Sequence, residues 1–200
     1  TIGQIETAGS IHWNRINQGI PWCLDNGVFT GKFDEQLWLS QLEQLVQHSD
    51  KCLFVAIPDV VGDFIGTIQR FGKYRSMVRD YPVAMVSQDG ISASADMIPW
   101  EDIDAVFVGG SDKHKLGREG GWIISEAKSR GKWVHVGRVN SVGRMLKFWT
   151  ADSWDGTHLG FYPSDQRKFH ATVLQIRNMK KSAEAYSDLH RSIFTGNSVC

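Results

Sequence analysis

Short apolar runs that end in polar or glycine residues recur along the chain. They are WCLDNGVF at 22–29, FVAIPDVVGD at 54–63, AMVSQDG at 84–90, VFVGGSD at 106–112, WVHVGRVN at 133–140 and SWDGTHLGF at 153–161. Stretches such as CLFVAI, VAMV and AVFV are apolar at every position, the pattern of strands covered on both faces in a parallel sheet. Amphipathic segments alternate with them. Asp34 has the character of an N-cap, and Leu37, Trp38, Leu42, Leu45 and Val46 follow at helical spacing. A second helix is predicted over Ile65 to Val78, burying Ile68, Phe71 and Met77. Another is predicted over Trp122 to Ser129 and ends at Gly131 in the C′ position. Ser141 to Trp149 reads as a further helix. Asp165 to about Phe194 reads as a long helical tail with room for one break, and the final GNSVC as a frayed end. The segment 90–102, with Pro99, predicts a short helical turn.

This β–α–β–α order has strand ends near Asp25, Asp59, Asp89, Gly109, Gly137 and Asp155, at intervals of 34, 30, 20, 28 and 18 residues that fit single βα units. GxGxxG and the P-loop are both absent, so a (β/α) barrel is favoured over a doubly wound nucleotide-binding sheet. The expected fold class is α/β, a TIM-like (β/α) barrel with fewer or irregular strands and a long C-terminal helix. Six strands are clear and residues 1–12 offer a seventh. No linker or low-complexity stretch divides the chain, which predicts one catalytic domain over residues 1–200 with 165–194 as its helical tail.

Composition adds bounds. Two hundred residues can bury a sizeable core, and 42% hydrophobic with 22% charged is ordinary for a globular protein. No apolar stretch approaches the roughly 20 residues of a membrane helix, and the first residues lack the order of a secretory signal. Cys23, Cys52 and Cys200 form no CxxC pair, which argues for a reducing compartment and against structural zinc. A cytoplasmic protein without a membrane partner is expected. The net charge of zero hides an asymmetry: residues 1–63 balance to −5 and residues 113–147 to +7. A basic face meeting a polyanion would produce this, and so would a solvated helix surface.

In a barrel, the residues at the C-terminal strand ends converge on one mouth, where chemistry collects. That expectation groups Asp25, Asp59, Gln88, Asp89, Gly109, Gly110, Arg138, Asn140 and Asp155. Each has a plainer role available. Asp25–Asn26–Gly27 and Gln88–Asp89–Gly90 fit turns, Asp59 and Asp63 fit helix caps, and Asp155–Gly156 after an aromatic fits a turn too. The recurrence of acids at successive strand ends favours chemistry, since clustered carboxylates repel unless something uses them. Two carboxylates suit glycosidic cleavage: one attacks the anomeric carbon and the other moves the leaving-group proton. The histidines are scattered without metal-ligand spacing, and no metal or cofactor is expected. His135 could point into the barrel or be a core residue.

Four of these segments resemble motifs of the tRNA-guanine transglycosylase superfamily, in that family's order and over roughly residues 20–160. LDNGVF is similar to its DSGGFQ segment, SQDG to its segment ending in Gln-Gly-Gly, VFVGGS to GGLAVGE, and DSWDG to DMFDC. The likeness is to its short, zinc-less relatives acting on DNA. Val28 replaces a family glycine, and THLGF stands where Pro-Thr-Arg is usual. The resemblance implies Asp155 as nucleophile, Asp25 as general acid/base, Asp59 and Gln88 as base readers, and the Gly109–Gly110 backbone against the base.

The function these readings predict is a nucleic-acid base glycosylase or transglycosylase, with DNA more expected than RNA and a modified base flipped into the site. A free base could be a co-substrate. Lys113, Lys115, Arg118, Arg138 and Asn140 are the expected phosphate contacts. Two other classes stay open. One is a barrel enzyme on a small phosphorylated or sugar metabolite, with GGSDKHK as its phosphate loop; the other is a non-catalytic nucleic-acid-binding barrel.

Overall fold

The computed structural model describes residues 3–31 and 33–195 and shows an α/β protein. The chain divides into two compact units, Thr1–Gly137 and Arg138–Cys200. The first unit runs β1 (Gln4–Thr7), α1 (Trp13–Asn17), β2 (Trp22–Asp25), α2 (Glu35–Leu45), β3 (Cys52–Ala56), α3 (Phe64–Arg75), β4 (Val83–Ser87), β5 (Ala105–Val108), α4 (Asp112–Leu116), α5 (Arg118–Ser129) and β6 (Trp133–Val136). The second holds α6 (Val142–Lys147), β7 (Ser153–Trp154), α7 (His158–Phe161) and α8 (Gln166–Thr195). The expected strand within residues 1–12 is β1, which brings the described strands to seven. The predicted frayed end lies outside the described residues.

Strands β1 to β6 lie side by side in chain order, and every pairing between them is parallel. Each crossover therefore advances by one strand in one direction, the winding of a barrel and not of a doubly wound sheet. The pleat sends alternate side chains to opposite faces. Cys23, Phe54, Ala84 and Ala105 form a buried cluster on one face, against which Ile5, Phe107 and Trp133 pack. His135 joins them, its ring centroid 5.2 Å from that of Phe54 and 4.7 Å from that of Phe107, so it is a packed core residue. Trp22, Leu24, Val55, Met85, Val106 and Val134 are fully buried on the other face. Burial on both faces explains the unbroken apolar runs.

Helix boundaries follow local chemistry. The Asp34 carboxylate accepts from Leu37 N at 3.0 Å and starts α2 as expected, with Trp38, Leu42 and Leu45 buried but Leu37 and Val46 exposed. The segment with Pro99 forms two 3-10 turns, Ile91–Met97 and Trp100–Asp102. The expectation for α3 needs correction. The helix ends at Arg75 and not at Val78, so helical phase no longer governs residue 77: Met77 is 45% exposed, while Tyr74 and Val78 are buried. The tail helix α8 runs its 30 residues without a break.

Helix α5 starts four residues before the predicted Trp122, and the glycines at 120 and 121 are what hid its first turn. They differ in purpose. A Cβ on Gly120 would lie 2.3 Å from the Lys115 carbonyl oxygen, so only glycine lets α5 close on α4; a Cβ on Gly121 would meet nothing within 4 Å. Gly121→Ala should therefore raise stability by about 0.5–1 kcal/mol through helix propensity, whereas Gly120→Ala should lower it by more than about 1 kcal/mol. Thermal denaturation of the two variants checks this, and shifts of the same sign would refute the assigned contact.

Candidate active site

The turn and the acid in Asp25–Asn26–Gly27 have separate jobs. Asp25 is the last residue of β2 and follows Cys23 by two, which turns it toward the face of the buried cluster. Asn26 makes the turn: its Oδ1 accepts from Val28 N at 2.9 Å, and Gly27 takes the left-handed φ of 75°. The Asn26 amide nitrogen points the other way. It donates to Ile57 O at 3.0 Å and to Asp59 Oδ1 at 2.9 Å.

Asp59 sits three residues past β3 and is buried. It does not cap α3. Asp63 does, accepting from Gly66 N at 3.0 Å. The second oxygen of Asp59 accepts from Gln88 Nε2 at 2.5 Å, and Gln88 Oε1 accepts from Gly62 N at 2.9 Å. Arg70 Nη1 donates to the Asp59 carbonyl at 2.6 Å. Burial raises the Asp59 pKa above the ordinary carboxylate value, while Asn26, Gln88 and the Arg70 charge pull it down. The ends of β2, β3 and β4 thus meet in one amide–carboxylate–amide cluster.

Gly109 and Gly110 close the next strand end against it. A Cβ on Gly109 would stand 2.8 Å from Val86 Cγ1 and 3.2 Å from Gln88 Nε2, and one on Gly110, at φ 71°, would stand 2.9 Å from both Asp89 Oδ2 and His114 Cδ2. Asp89 is more than a turn residue: its carboxylate accepts from Ser111 N at 2.9 Å and Ser111 Oγ at 2.5 Å. Burial alone would raise the Asp89 pKa, but the two Ser111 bonds and the nearby His114 together bring it below the ordinary value.

Two features beneath this rim were not foreseen. Ser87 Oγ lies 3.2 Å from His114 Nε2, and His114 Nδ1 lies 3.1 Å from Glu119 Oε2, a Ser–His–Glu chain, buried at Ser87 and His114, that ties β4 to α4 and α5. Glu119 also accepts from the Ser92 hydroxyl, and that bond, followed by the one from His114, lowers its pKa. Lys115 is the second. Expected at a phosphate, it is only 2% exposed, and its Nζ donates to Gly137 O at 3.1 Å. Lys113 and Arg118 are exposed, as a phosphate contact requires.

The second unit carries Arg138, Asn140 and Asp155. Arg138 N–H donates to Asp155 Oδ1, and Val139 N to Asp155 O at 2.7 Å. Arg138 holds φ 60°, the one left-handed non-glycine among the described residues. Asn140, another expected phosphate contact, accepts from Thr157 N at 2.8 Å and His158 N at 3.2 Å, so its side chain orders the loop after Asp155. Among the described residues, no group of three or more His, Cys, Asp or Glu could hold a metal ion, and no helix is long and apolar enough to cross a membrane.

No family model, no curated protein and no solved structure matches the chain. The site is therefore read from its own chemistry.

The Asp59 cluster makes a signed prediction. Its folded pKa is raised, so between the unfolded and folded values the native state holds the extra proton and stability falls as pH rises through that window. Asn26→Ala removes a donor from the ionised form. It should cost about 1–3 kcal/mol at neutral pH, with a smaller deficit at acid pH, where protonated Asp59 needs the donor less. Urea denaturation at both pH values measures this; an equal deficit at the two would rule out Asp59 ionisation as the cause.

Proposed function

We propose that the protein is a nucleic-acid base glycosylase or transglycosylase acting on DNA, with a TIM-like barrel mouth as the frame of its site. The observation that carries this reading is the cluster of Asn26, Asp59 and Gln88 beside the close-packed Gly109–Gly110 backbone. Each Asp59 oxygen and Gln88 Oε1 accepts one donor from the protein, and a carboxylate or amide oxygen can accept a second, an acceptor pattern that suits the ring N–H and amino groups of a base edge. The glycines let the end of β5 pack directly against Val86, Gln88, Asp89 and His114, which fixes that pattern in place. The motif resemblance points to the same residues.

In this reading Asp59 and Gln88 recognise the flipped base. Asp155 attacks C1′ as the bond from C1′ to the base nitrogen breaks, and its carboxylate becomes an ester of the sugar. Asp25 delivers a proton to the departing base. Water then cleaves the ester to leave an abasic sugar, or an incoming free base takes the place of the first. Lys113, Arg118 and Arg138 are assigned to the phosphates.

The small-metabolite reading loses its phosphate loop. The Ser111 N–H and hydroxyl that an anion would use are occupied by the Asp89 carboxylate, and Lys115 is buried. A second anion there would meet like charge.

Incubation with natural and base-modified DNA and RNA, followed by mass spectrometry of released base and abasic sites, tests the proposal. Asp25→Asn should slow release by about 10²–10⁴-fold, and Asp155→Asn should abolish the covalent step. Release that persists in Asp155→Asn would overturn the role given to Asp155, and absence of release from every substrate, with and without added base, would overturn the proposal and favour a non-catalytic binder.

A further inference from the structure

Helix α8 carries a feature that the glycosylase reading does not use. From residue 166 to residue 183 it contains the cations Arg167, Lys168, Arg177, Lys180 and Lys181 and not one Asp or Glu. Their placement follows helical geometry. Thr172 and Ile176 are the buried positions, with Phe169 partly covered beside them. At 100° per residue the opposite side holds Arg167, His170, Leu174, Arg177 and Lys181, and all five are exposed. They form a line about 21 Å long from first to last cation. The acid nearest the helix start, Asp165, is engaged by His158 Nε2 at 2.7 Å. His158 in turn stacks on Phe169, with centroids 5.0 Å apart and planes 15° apart, and lies 4.8 Å from the Tyr162 ring. The end of the helix where this happens presents two aromatic side chains to solvent, Phe161 at 75% and Tyr162 at 58% exposure.

We propose that this face of α8, with Phe161 and Tyr162 at its N-terminal end, is a nucleic-acid-binding surface. Its cations would hold consecutive phosphates of one strand while the aromatics stack on an unpaired base. A line of positive charge whose first acid on the helix, Glu184, comes after its last cation matches a polyanion of regular charge spacing. Exposed aromatics beside it match bases, since every base offers a ring face for stacking. A membrane surface fits less well. A helix lying in a bilayer interface needs a continuous apolar face to insert; Ile176 is buried, and the exposed Val173 and Leu174 are neighbours in sequence and so point about 100° apart, with Leu174 among the cations. The surface extends the glycosylase reading by giving the second unit a grip on the strand, yet binding is measurable without catalysis, so the two stand or fall separately.

Fluorescence anisotropy of the full chain with a labelled 20-nucleotide single-stranded DNA, over a salt series, provides the test. A variant combining Arg167→Glu, Arg177→Glu and Lys181→Glu should bind about tenfold more weakly or worse, and the slope of log affinity against log salt should fall by about 2, for three phosphates at ~0.7 each. Phe161→Ala with Tyr162→Ala should weaken binding severalfold and leave the salt slope alone. A control with Arg15→Glu, Lys51→Glu and Arg79→Glu changes net charge equally on exposed residues of the first unit and should keep the wild-type slope. If the charge reversals perturb the helix by circular dichroism, the corresponding glutamine substitutions replace them. Unchanged DNA binding or an unchanged slope in the α8 variant overturns the proposal. So does a defect confined to vesicles of phosphatidylserine and phosphatidylcholine. Base release by the wild type with weakly affected α8 variants would sink this surface while leaving the glycosylase intact.

Discussion

A carboxylate buried in a protein interior must be answered by hydrogen-bond donors or given up to protonation. Asp59 is answered from two sides, by an amide on the loop after β2 and by an amide that follows β4. Neither donor is local, so the bonds form only when the three parallel strands are in register. The register in turn brings the Asp59 loop and Gln88 to the same edge, because Ala56 pairs with Ala84 and each strand ends within a few residues of its neighbour. One buried charge therefore makes the strand order, the sharp turns at Gly27 and Gly62, and the exposed rim mutually dependent. Replacing it by an apolar residue would leave Asn26 and Gln88 with unmet donors of their own, so the cluster stands or falls together.

The Ser87–His114–Glu119 chain reinforces this edge from below. Ser87 is fully buried, which excludes it as a nucleophile in this conformation despite the outward likeness to a hydrolase triad. Its position explains it better. Ser87 immediately precedes Gln88, and the His114 ring lies against the place where Gly110 would carry a Cβ. Fixing that imidazole between a hydroxyl and a carboxylate fixes the surface against which Gly110 packs. Such support limits how far the residues above it can drift from one geometry.

What the sequence disclosed and what it concealed separate by distance along the chain. Asp34 and Asp63 are read correctly as caps because the bond spans three residues and depends on nothing else. Strand order was also accessible, since continuous apolar runs and short βα intervals leave a sequentially wound parallel sheet as the economical solution. Asp59 was ambiguous because its partners lie 33 and 29 residues away, and nothing in PDVVGD distinguishes a second cap from a buried anion. Lys115 misled for the same reason. It lies two residues from the exposed Lys113, about 200° around α4, so the helix that turns Lys113 outward sends the Lys115 ammonium group inward to the Gly137 carbonyl. The glycines at 120 and 121 concealed the start of α5 because propensity counts them as breakers, whereas one of them is there to permit a close backbone contact.

Arg138 bears on whether Asp155 is simply a turn residue. A left-handed backbone costs an ordinary L-residue about 1–2 kcal/mol that glycine would not incur, and residue 138 adopts it in order to aim its N–H at the Asp155 carboxylate. If holding the turn were the whole purpose, glycine would hold it with less strain, as it does at Gly27, Gly62 and Gly110. The Arg138 carbonyl also accepts from Arg144 Nη1 at 3.3 Å, so both main-chain groups of the strained residue are engaged. The Asp155 carboxylate is thereby tied to one position by a main-chain donor, as its carbonyl is by Val139 N. The strain at 138 and the fixed position of Asp155 are thus one feature, a carboxylate held at a set place at the cost of the backbone beside it.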